Sequence, residues 1–349
     1  MMSFLGHKKI IDDQDLGILY ISHNNMEPLK VCRGQVTQTK YGAIRHSDVI
    51  GKKFGCRIMT TNGKGWVVLL QPTPELWTLT LPHRTQILYF ADISLITLKL
   101  DLKPGSRVAE AGTGSGSLSH AIARTIVPTG HLYTYEFHEQ RAKQAREEFE
   151  SHGLSKVVTL SHRDVIKDGF DDSITVDAVF LDLPSPWLVV PHAKKVLTSS
   201  GGRICSFSPC IEQVQKTCTA LSELGFSELE TVECLLRPFD VKYSSLPEPD
   251  LGVPAKKTDS ETEDSDNGKT EGNTKATKEC HSSDKFQNEG EADDDEIAAK
   301  RAKLEENALP KCIQRRKNPQ SYSRCVVPQR EITGHTGYLT FASLYEFKT

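Results

Sequence analysis

A glycine-rich loop in this chain has the residue types and spacing for binding a nucleotide-like ligand. In VAEAGTGSGSLSHAI, residues 108–122, an apolar strand leads at once into Gly112, Gly114 and Gly116 and then into the start of a helix. Glycines let the backbone turn sharply and approach a ligand, and the first turn of a helix offers free N–H donors. The pattern predicts a ligand site, although an ordinary tight turn between a strand and a helix can carry the same glycines.

An acidic residue follows at the distance that a ribose-binding carboxylate requires. Glu136 ends the second predicted strand, twenty residues after Gly116, where a carboxylate can accept hydrogen bonds from both hydroxyls of a ribose. A dinucleotide-binding loop would have a third glycine where this chain has Ser117. The spacing instead resembles the Rossmann-like methyltransferases that bind S-adenosylmethionine, in which the loop holds the amino-acid end of the cofactor.

A second candidate site is the stretch LDLPSPW, residues 181–187, which follows an apolar run. It predicts a buried strand that ends in Asp182, at the edge of the sheet where ligands bind. Pro184 and Pro186 stiffen the loop that follows. A fixed carboxylate there can accept a hydrogen bond from an exocyclic amino group and stabilise positive charge on a ring nitrogen that is being methylated. The competing interpretation is that Asp182 caps a helix beginning near Trp187.

The elements that must position these residues follow from the periodicity of the sequence. From residue 81 onward helical and strand patterns alternate, which predicts an α/β fold with a doubly wound, mostly parallel sheet. Short strands between turn signals in residues 15–68 predict a small N-terminal β-barrel-like domain. The predicted domains are residues 1–77 and 78–250, with a final strand in residues 333–349 that pairs with the strand before the intervening segment.

That intervening segment, residues 251–332, has a different composition. Its central part, residues 256–310, holds 9 basic and 16 acidic residues and a single aromatic residue, Phe286. Because so little apolar surface is available to offset chain entropy, the segment is predicted to be disordered. Its stretch AAKRAKLEE, residues 298–306, resembles a nuclear import signal, although a solvated run of charges has the same composition. We expect a nuclear location.

Composition also limits the classes of partner. Without residues 256–310 the chain has 34 basic and 30 acidic residues, a mild excess that permits a polyanionic partner without proving one. Nine cysteines include no CxxC pair and no zinc-type spacing, so we expect reduced thiols and no metal. Charged residues occur within the first fifteen positions, too early for a signal peptide, and no apolar run is long enough to span a membrane. We therefore expect an intracellular protein.

Six motifs together carry a more specific resemblance. In chain order they are QTKYG, PTPELWTLTLPHRTQIL, EAGTGSGS, FLDLPSPW, SFSPCIEQVQ and GHTGYLTF. They resemble the catalytic subunits of the tRNA adenine-N1 methyltransferases that modify position 58 in the T-loop, and the resemblance covers residues 3–250 and the final strand. It implies a class I methyltransferase fold, S-adenosylmethionine as cofactor and tRNA as substrate. It also implies a noncatalytic paralogous subunit, in a heterotetramer with two copies of each.

Carried over residue by residue, the resemblance makes Asp182 the catalytic residue. It implies cofactor contacts from Gln86, Leu88, Glu110, Gly112, Gly114, Ser115, Gly116, Ser117, Glu136, Arg141, Asp164, Val165 and Asp182, with Thr85 and Ile87 adjoining. It implies RNA contacts from His23, Thr37, Gln38, Thr39, Trp66, Leu183, Pro184, Ser208 and Cys210. From the residue types alone, Asp164 could equally form a turn, Trp187 could simply pack, and Thr37 and Thr39 could be ordinary strand residues.

Two other functions stay open from the sequence. The stretch DLPSPW is related to the D-P-P-aromatic loop of amino methyltransferases, but Leu183 and Ser185 interrupt the double proline. A methyltransferase of the same fold with a different substrate is therefore one alternative. A noncatalytic RNA-binding subunit is the other, and the intact glycine loop together with Glu136 and Asp182 argues against it.

Overall fold

The computed structural model describes residues 4–245, 322–329, 334 and 336–345. It divides into two compact units, Met1–Arg237 with Glu331–Thr349, and Pro238–Arg330. The helices in the described part of the first unit are α1 (Pro74–Thr80), α2 (Phe90–Lys99), α3 (Ser117–Ile126), α4 (Glu139–Ser151), α5 (Val165–Asp168), α6 (Val190–Val196) and α7 (Ile211–Glu223). No helix in these ranges is long and apolar enough to cross a bilayer.

The N-terminal part of the first unit consists of short antiparallel strands. They are β1 (Leu16–Ser22), β2 (Asn25–Lys30), β3 (Val36–Thr39), β4 (Gly42–Arg45), β5 (Arg57–Met59) and β6 (Trp66–Leu70). Four of them form a sheet in the order β2-β1-β6-β5, and β3 and β4 form a separate hairpin. Ile44 of the hairpin shares one buried core with Leu19 and Leu69 of the sheet, so the two sheets pack around common apolar side chains. The small β-rich region predicted from the sequence is present.

A larger, mostly parallel sheet forms the centre of the first unit. Its strands are β7 (Arg107–Ala111), β8 (His131–Glu136), β9 (Val158–His162), β10 (Ala178–Leu181), β11 (Ser200–Ser208), β12 (Ser227–Glu233) and β15 (Tyr338–Tyr345). The order is β12-β15-β11-β10-β7-β8-β9, and the five strands from β11 to β9 run parallel. Strand β15 is antiparallel to both of its neighbours, and its pairing with β12 confirms the predicted partner of the final strand.

Helices cover both faces of this sheet, as the alternating pattern predicts. One buried core contains Phe180 of β10 with Ile122 of α3 and Phe149 of α4, and the other contains Leu181 of β10 with Leu221 of α7. Because neighbouring residues of a strand face opposite sides, a strand covered on both sides is apolar throughout. The doubly wound α/β fold is therefore confirmed.

The predicted boundary after residue 77 falls inside α1. Trp77 of this helix shares a core with Ile18 of β1 and Ile122 of α3, so the residues before and after the boundary are buried together in one compact unit. The boundary itself stays a prediction.

The second unit contains an antiparallel pair, β13 (Phe239–Ser245) and β14 (Tyr322–Pro328), in which Val241 lies opposite Val326. Strand β14 lies within the segment predicted to be disordered, so that prediction is wrong for these residues. Their sequence, YSRCVVP, is rich in residues that favour strands, a local feature that the composition of a long segment conceals. Residues 251–321, including AAKRAKLEE, and residues 330–332 lie outside the described residues.

Candidate active site

The glycine loop connects β7 to α3 and passes directly against the end of β10. Gly112 and Gly114 have φ angles of +100° and +54°, which favour glycine over other residues. A Cβ atom at Gly112 would collide with the backbone carbonyl oxygen of Asp182. The backbone N–H of Asp182 in turn donates to the carbonyl of Ala111 at 2.9 Å. The glycine loop and Asp182 therefore lie side by side, as expected for the carboxyl ends of adjacent parallel strands.

Two serine hydroxyls fasten the loop to the preceding segment, residues 82–89. The Ser115 Oγ atom accepts hydrogen bonds from the backbone N–H groups of Arg84 and Thr85, at 2.9 and 3.1 Å. The Ser117 hydroxyl donates to the carbonyl of Leu88 at 3.1 Å and lies 2.8 Å from the Thr78 hydroxyl of α1. Ser117, which replaces the third glycine of a dinucleotide-binding loop, therefore has a structural role between α1 and α3.

Glu136, at the end of β8, is 2% exposed and holds the inner side of the loop. Its Oε2 atom accepts a hydrogen bond from the Gly114 backbone N–H at 3.0 Å. Its Oε1 atom accepts from the backbone N–H of His138 at 3.0 Å and from the Arg141 guanidinium at 2.7 Å. Arg141 thus orients the carboxylate that the sequence assigns to a ribose.

Two adjoining cavities lie along the loop and the strand ends. The larger, about 450 Å³, is in the range of small-ligand sites. Among the predicted cofactor residues it is lined by Gln86, Gly112, Gly114, Glu136, Arg141, Asp164, Val165 and Asp182. The smaller is lined by Leu88, Glu110, Ser115, Gly116 and Ser117, and shares Gln86, Gly112, Gly114 and Asp182 with the larger. The structure therefore brings all the predicted cofactor residues together.

Asp182 is half-buried at this edge, and its carboxylate receives no hydrogen bond or ion pair from any residue that the structure describes. It does not cap a helix, because the 3₁₀ turn Pro186–Leu188 and helix α6 both begin without a side-chain cap. The competing interpretation is therefore wrong. Burial, with a smaller contribution from the charge of Glu136, raises the pKa of Asp182 to about 6. At neutral pH it is a mostly ionised acceptor available to a ligand.

Glu110 lies beneath the loop, almost fully buried, and accepts a hydrogen bond from the Ser119 hydroxyl at 2.6 Å. Burial, with smaller contributions from the charges of Asp182 and Glu136, raises the pKa of Glu110 to about 7 in spite of the opposing hydrogen bonds from the Ser119 and Thr134 hydroxyls. Three carboxylates thus converge on one small site. A ligand that carries positive charge would relieve their mutual repulsion, and this favours a sulfonium or an ammonium group over a phosphate.

Asp164 lines the larger cavity and also caps α5. Its Oδ1 atom accepts from the backbone N–H groups of Ile166 and Lys167, at 3.1 and 3.4 Å. Its Oδ2 atom lies 3.5 Å from the Lys167 ammonium group. The turn-forming interpretation of Asp164 is therefore correct for Oδ1, while its position in the cavity agrees with the cofactor contact that the resemblance implies.

Four predicted RNA-contact residues lie near the carboxyl ends of β10 and β11, namely Leu183, Pro184, Ser208 and Cys210. Leu183 and Pro184 line the larger cavity. Ser208 ends β11, and Cys210 precedes α7 with its backbone N–H donating to Gln213 Oε1 at 3.2 Å. The Gln213 amide donates in turn to the carbonyl of Pro184 at 3.0 Å. Gln213 therefore ties α7 to the loop after Asp182, a link that its capping position alone does not reveal.

The other predicted RNA contacts, His23, Thr37, Gln38, Thr39 and Trp66, line neither cavity. They lie in the N-terminal strands and in the turns that join them. Three of these turns are in contact with one another. The β3–β4 turn reaches the β1–β2 turn through Lys40 Nζ, which donates to Ser22 Oγ at 3.4 Å. It reaches the β5–β6 turn through Asn62 Nδ2, which donates to the carbonyl of Tyr41 at 3.4 Å.

Several lining residues were not singled out from the sequence. In the larger cavity they are Tyr135, Phe137, His138, Arg163 and Ile166. Phe137 is 56% exposed. Their one signal in the sequence is their position beside Glu136 or Asp164, because residues that flank a strand-end ligand share its edge of the sheet.

The chain is similar to proteins whose activity is described. The sequence profile of the family described as tRNA methyltransferase complex GCD14 subunit matches residues 65–344. The chain is 48% identical over 254 residues to the catalytic subunit of a tRNA (adenine(58)-N(1))-methyltransferase of Dictyostelium discoideum, covering 72% of this chain and 81% of that one. It is 50% identical over 236 residues to the corresponding subunit of Candida albicans, covering 66% and 70%.

Two solved structures share the fold. A SAM-dependent O-methyltransferase of Thermotoga maritima has a TM-score of 0.67 and 24% identity, over 98% of this chain and 97% of that one. The tRNA (m1A58) methyltransferase TrmI of Aquifex aeolicus has a TM-score of 0.61 and 20% identity, over 97% and 100%. At these identities the likeness shows the fold of the sheet and its helices.

Proposed function

Because the chain belongs to the family of the tRNA methyltransferase complex GCD14 subunit, we propose that it is a catalytic subunit that methylates N1 of adenine 58 in tRNA. The relatives that it matches over most of their length have this activity in their names. The observation that carries the proposal is the position of Asp182, whose carboxylate has no partner among the described residues and lies against the glycine loop.

S-adenosylmethionine suits the two cavities along this loop. The three converging carboxylates favour its sulfonium and ammonium charges, and we assign Glu136 and Asp164, which line the larger cavity, to the ribose and to the adenine amino group. The N–H groups at the start of α3 can receive its carboxylate. When bound, the cofactor supplies an electrophilic methyl group.

The contribution of the protein to the transfer is orientation and charge. Adenine N1 has a free lone pair, so its attack on a methyl group requires no general base. Asp182 can accept a hydrogen bond from the exocyclic amino group and thereby orient the ring. As the methyl group is transferred, positive charge grows on the base, and the fixed carboxylate stabilises it more than it stabilises the neutral base.

The N-terminal strands supply a surface that suits RNA. A base in the T-loop must be turned out of its stack before N1 can reach the cofactor, at a cost of a few kcal/mol. Trp66 is 41% exposed with the Arg57 guanidinium 4.4 Å from its ring, and Lys40 lies 5.1 Å from the ring of Tyr41. Exposed aromatic rings beside cations can stack on bases and contact phosphates, which would offset that cost.

A noncatalytic paralogous subunit, in a heterotetramer with two copies of each, is part of the proposal. Its support is the β13–β14 pair, a two-stranded sheet in the described part of the chain. Phe239, Val241 and Val326 of this pair are 59%, 64% and 67% exposed. An isolated two-stranded sheet is marginally stable, and exposed apolar side chains on it favour pairing with another chain. The nuclear location is also proposed, on the basis of the stretch AAKRAKLEE.

The test of the proposed function is methylation of defined tRNA transcripts. The chain, coexpressed with its noncatalytic partner, should transfer labelled methyl groups to a transcript with adenine at position 58 and not to one with guanine there. Mapping should place the methyl group on N1 of that base. Methylation of a different base, or of an exocyclic nitrogen, would favour the alternative of a same-fold enzyme with another substrate.

A further inference from the structure

Arg84 is a partly buried cation that contacts the glycine loop at Ser115, and nothing in the proposed chemistry uses it. Its side chain is 15% exposed and forms an ion pair with Glu148 of α4, whose side chain is 12% exposed, at 2.7 Å. Taking two charges out of water is costly, and a buried pair often stabilises a fold no better than apolar side chains of the same size. Stability alone is therefore a weak reason for this pair.

The guanidinium also contacts the loop itself. Arg84 Nη2 donates to the carbonyl oxygen of Ser115 at 3.1 Å, and the backbone N–H of Arg84 donates to the Ser115 hydroxyl. A Cβ atom at Gly114 would lie 2.8 Å from the Thr85 hydroxyl, so the segment packs tightly against the loop. Arg84 thus restrains Ser115 at two atoms, in a loop whose shape defines the cofactor cavities.

Helix α4 is linked to the loop through two ion pairs, one that contacts Gly114 and one that contacts Ser115. Arg141, in its first turn, pairs with Glu136, which accepts the N–H of Gly114. Glu148 is seven residues further along the helix, a spacing that returns to the same face after two turns. It pairs with Arg84, which donates to the carbonyl of Ser115. Helix α4 therefore supplies the cation of one ion pair and the anion of the other, and the two pairs hold the consecutive loop residues Gly114 and Ser115.

We propose that Arg84, anchored by Glu148, is a positioning residue for the cofactor. Arg84 holds the glycine loop at Ser115, while the Arg141–Glu136 pair holds it at Gly114. The loop is thereby held in its binding conformation before the cofactor arrives, which reduces the ordering that binding requires. The inference rests on the proposed function, because it assigns a role in binding the same cofactor.

The test replaces both members of the pair at once, so that no lone charge stays buried. In the complex of the full chain with its noncatalytic partner, Arg84→Met with Glu148→Leu should weaken S-adenosylmethionine binding about tenfold or more by calorimetry. The KM for the cofactor should rise in proportion, while kcat and the KM for tRNA change less than about threefold. Hydrogen exchange of the loop amides, residues 113–117, should become faster in the cofactor-free complex.

The matched control is a second arginine–glutamate pair. Arg124 of α3 donates to Glu75 of α1 at 2.9 Å and does not contact the loop. Arg124→Met with Glu75→Leu removes the same chemical groups and should leave cofactor affinity unchanged. If the first double variant does not fold, Glu148→Gln keeps an acceptor for Arg84 without its charge and should weaken binding about two- to fivefold.

The outcomes separate this inference from the proposed function. Cofactor affinity within twofold of the parent in the Arg84 double variant, or in Glu148→Gln where that variant is used, would overturn the inference alone. An equal loss in the Arg124 double variant would also overturn it, because the effect would then be general to the fold. A parent complex that binds no S-adenosylmethionine would overturn the proposed function instead.

Discussion

Three carboxylates share the candidate site, and their surroundings give them different roles. Glu136 is held by Arg141 and by backbone N–H groups, and Glu110 is buried with the Ser119 hydroxyl. Asp182 alone among these three has an unpartnered carboxylate within the described ranges, and its pKa is raised to about 6. It is therefore the group that can respond to the charge on a substrate base.

The raised pKa of Asp182 predicts a pH dependence of the methyl-transfer step. Protonation below pH 6 removes both the negative charge and an acceptor, so the single-turnover rate should fall as pH decreases through about 6. The measurement is the rate from pH 5 to 8 with saturating cofactor. In Asp182→Asn, which does not titrate, the rate should be lower and lack this inflection. An inflection at the same pH in that variant would assign the titration to another group.

The types of the site residues could be predicted from the sequence, but their partners could not. The glycine loop, Glu136 and Asp182 follow from strand ends and turn residues that local patterns reveal. Arg84 and Glu148 are 64 positions apart, and only the folded chain brings their charges together. For Gln213, the capping position is local, but its contact with Pro184 depends on the packing of α7 against the strand edge.

At the level of elements, the strand–loop–helix unit that starts at β7 shapes the site. Its loop fits because Gly112 lacks a side chain where the end of β10 approaches. The mostly parallel sheet was predictable, since helical and strand periods alternate along the chain. Strand β14 was not, because its partner β13 precedes a long polar segment that dominates the local composition.

Gly112→Ala tests that close approach. Gly112 has a positive φ angle, which alanine adopts only with strain, and the added methyl group would collide with the carbonyl oxygen of Asp182. Both stability and cofactor affinity should therefore fall. The matched control is Gly34→Ala, at φ +86° with open space around it, where only the backbone strain of roughly 1 kcal/mol applies. The measurements are urea unfolding and calorimetry. A Gly112→Ala variant as stable as Gly34→Ala would contradict the packing described.

At the scale of the whole molecule, the β13–β14 pair tests the proposed assembly. Val241→Asp places a charge on an exposed apolar position and should prevent the heterotetramer from forming, because an unpaired charge would be buried against the partner. Lys242→Asp, on the opposite face of the same strand, is the control. Light scattering of the coexpressed subunits gives the mass. An unchanged heterotetramer with Val241→Asp would place the interface elsewhere.

The proposed nuclear location has its own test in the full-length chain. Changing Lys300, Arg301 and Lys303 to Ala in a fluorescent fusion should move the protein out of the nucleus, because an import receptor recognises extended basic side chains. Methylation by the purified complex should be unaffected. If the nuclear signal is unchanged, the second basic cluster, residues 315–317, or the partner subunit would be the better explanation.

The most direct measurement for the proposed mechanism is the single-turnover rate of methyl transfer to adenine 58 in Asp182→Ala, with cofactor affinity measured on the same preparation. A fixed carboxylate that stabilises developing charge predicts a rate lower by about 10²–10³-fold, while S-adenosylmethionine affinity changes only a few-fold. A rate like that of the parent would contradict the role of Asp182. A loss of rate fully explained by lost cofactor binding would contradict it equally.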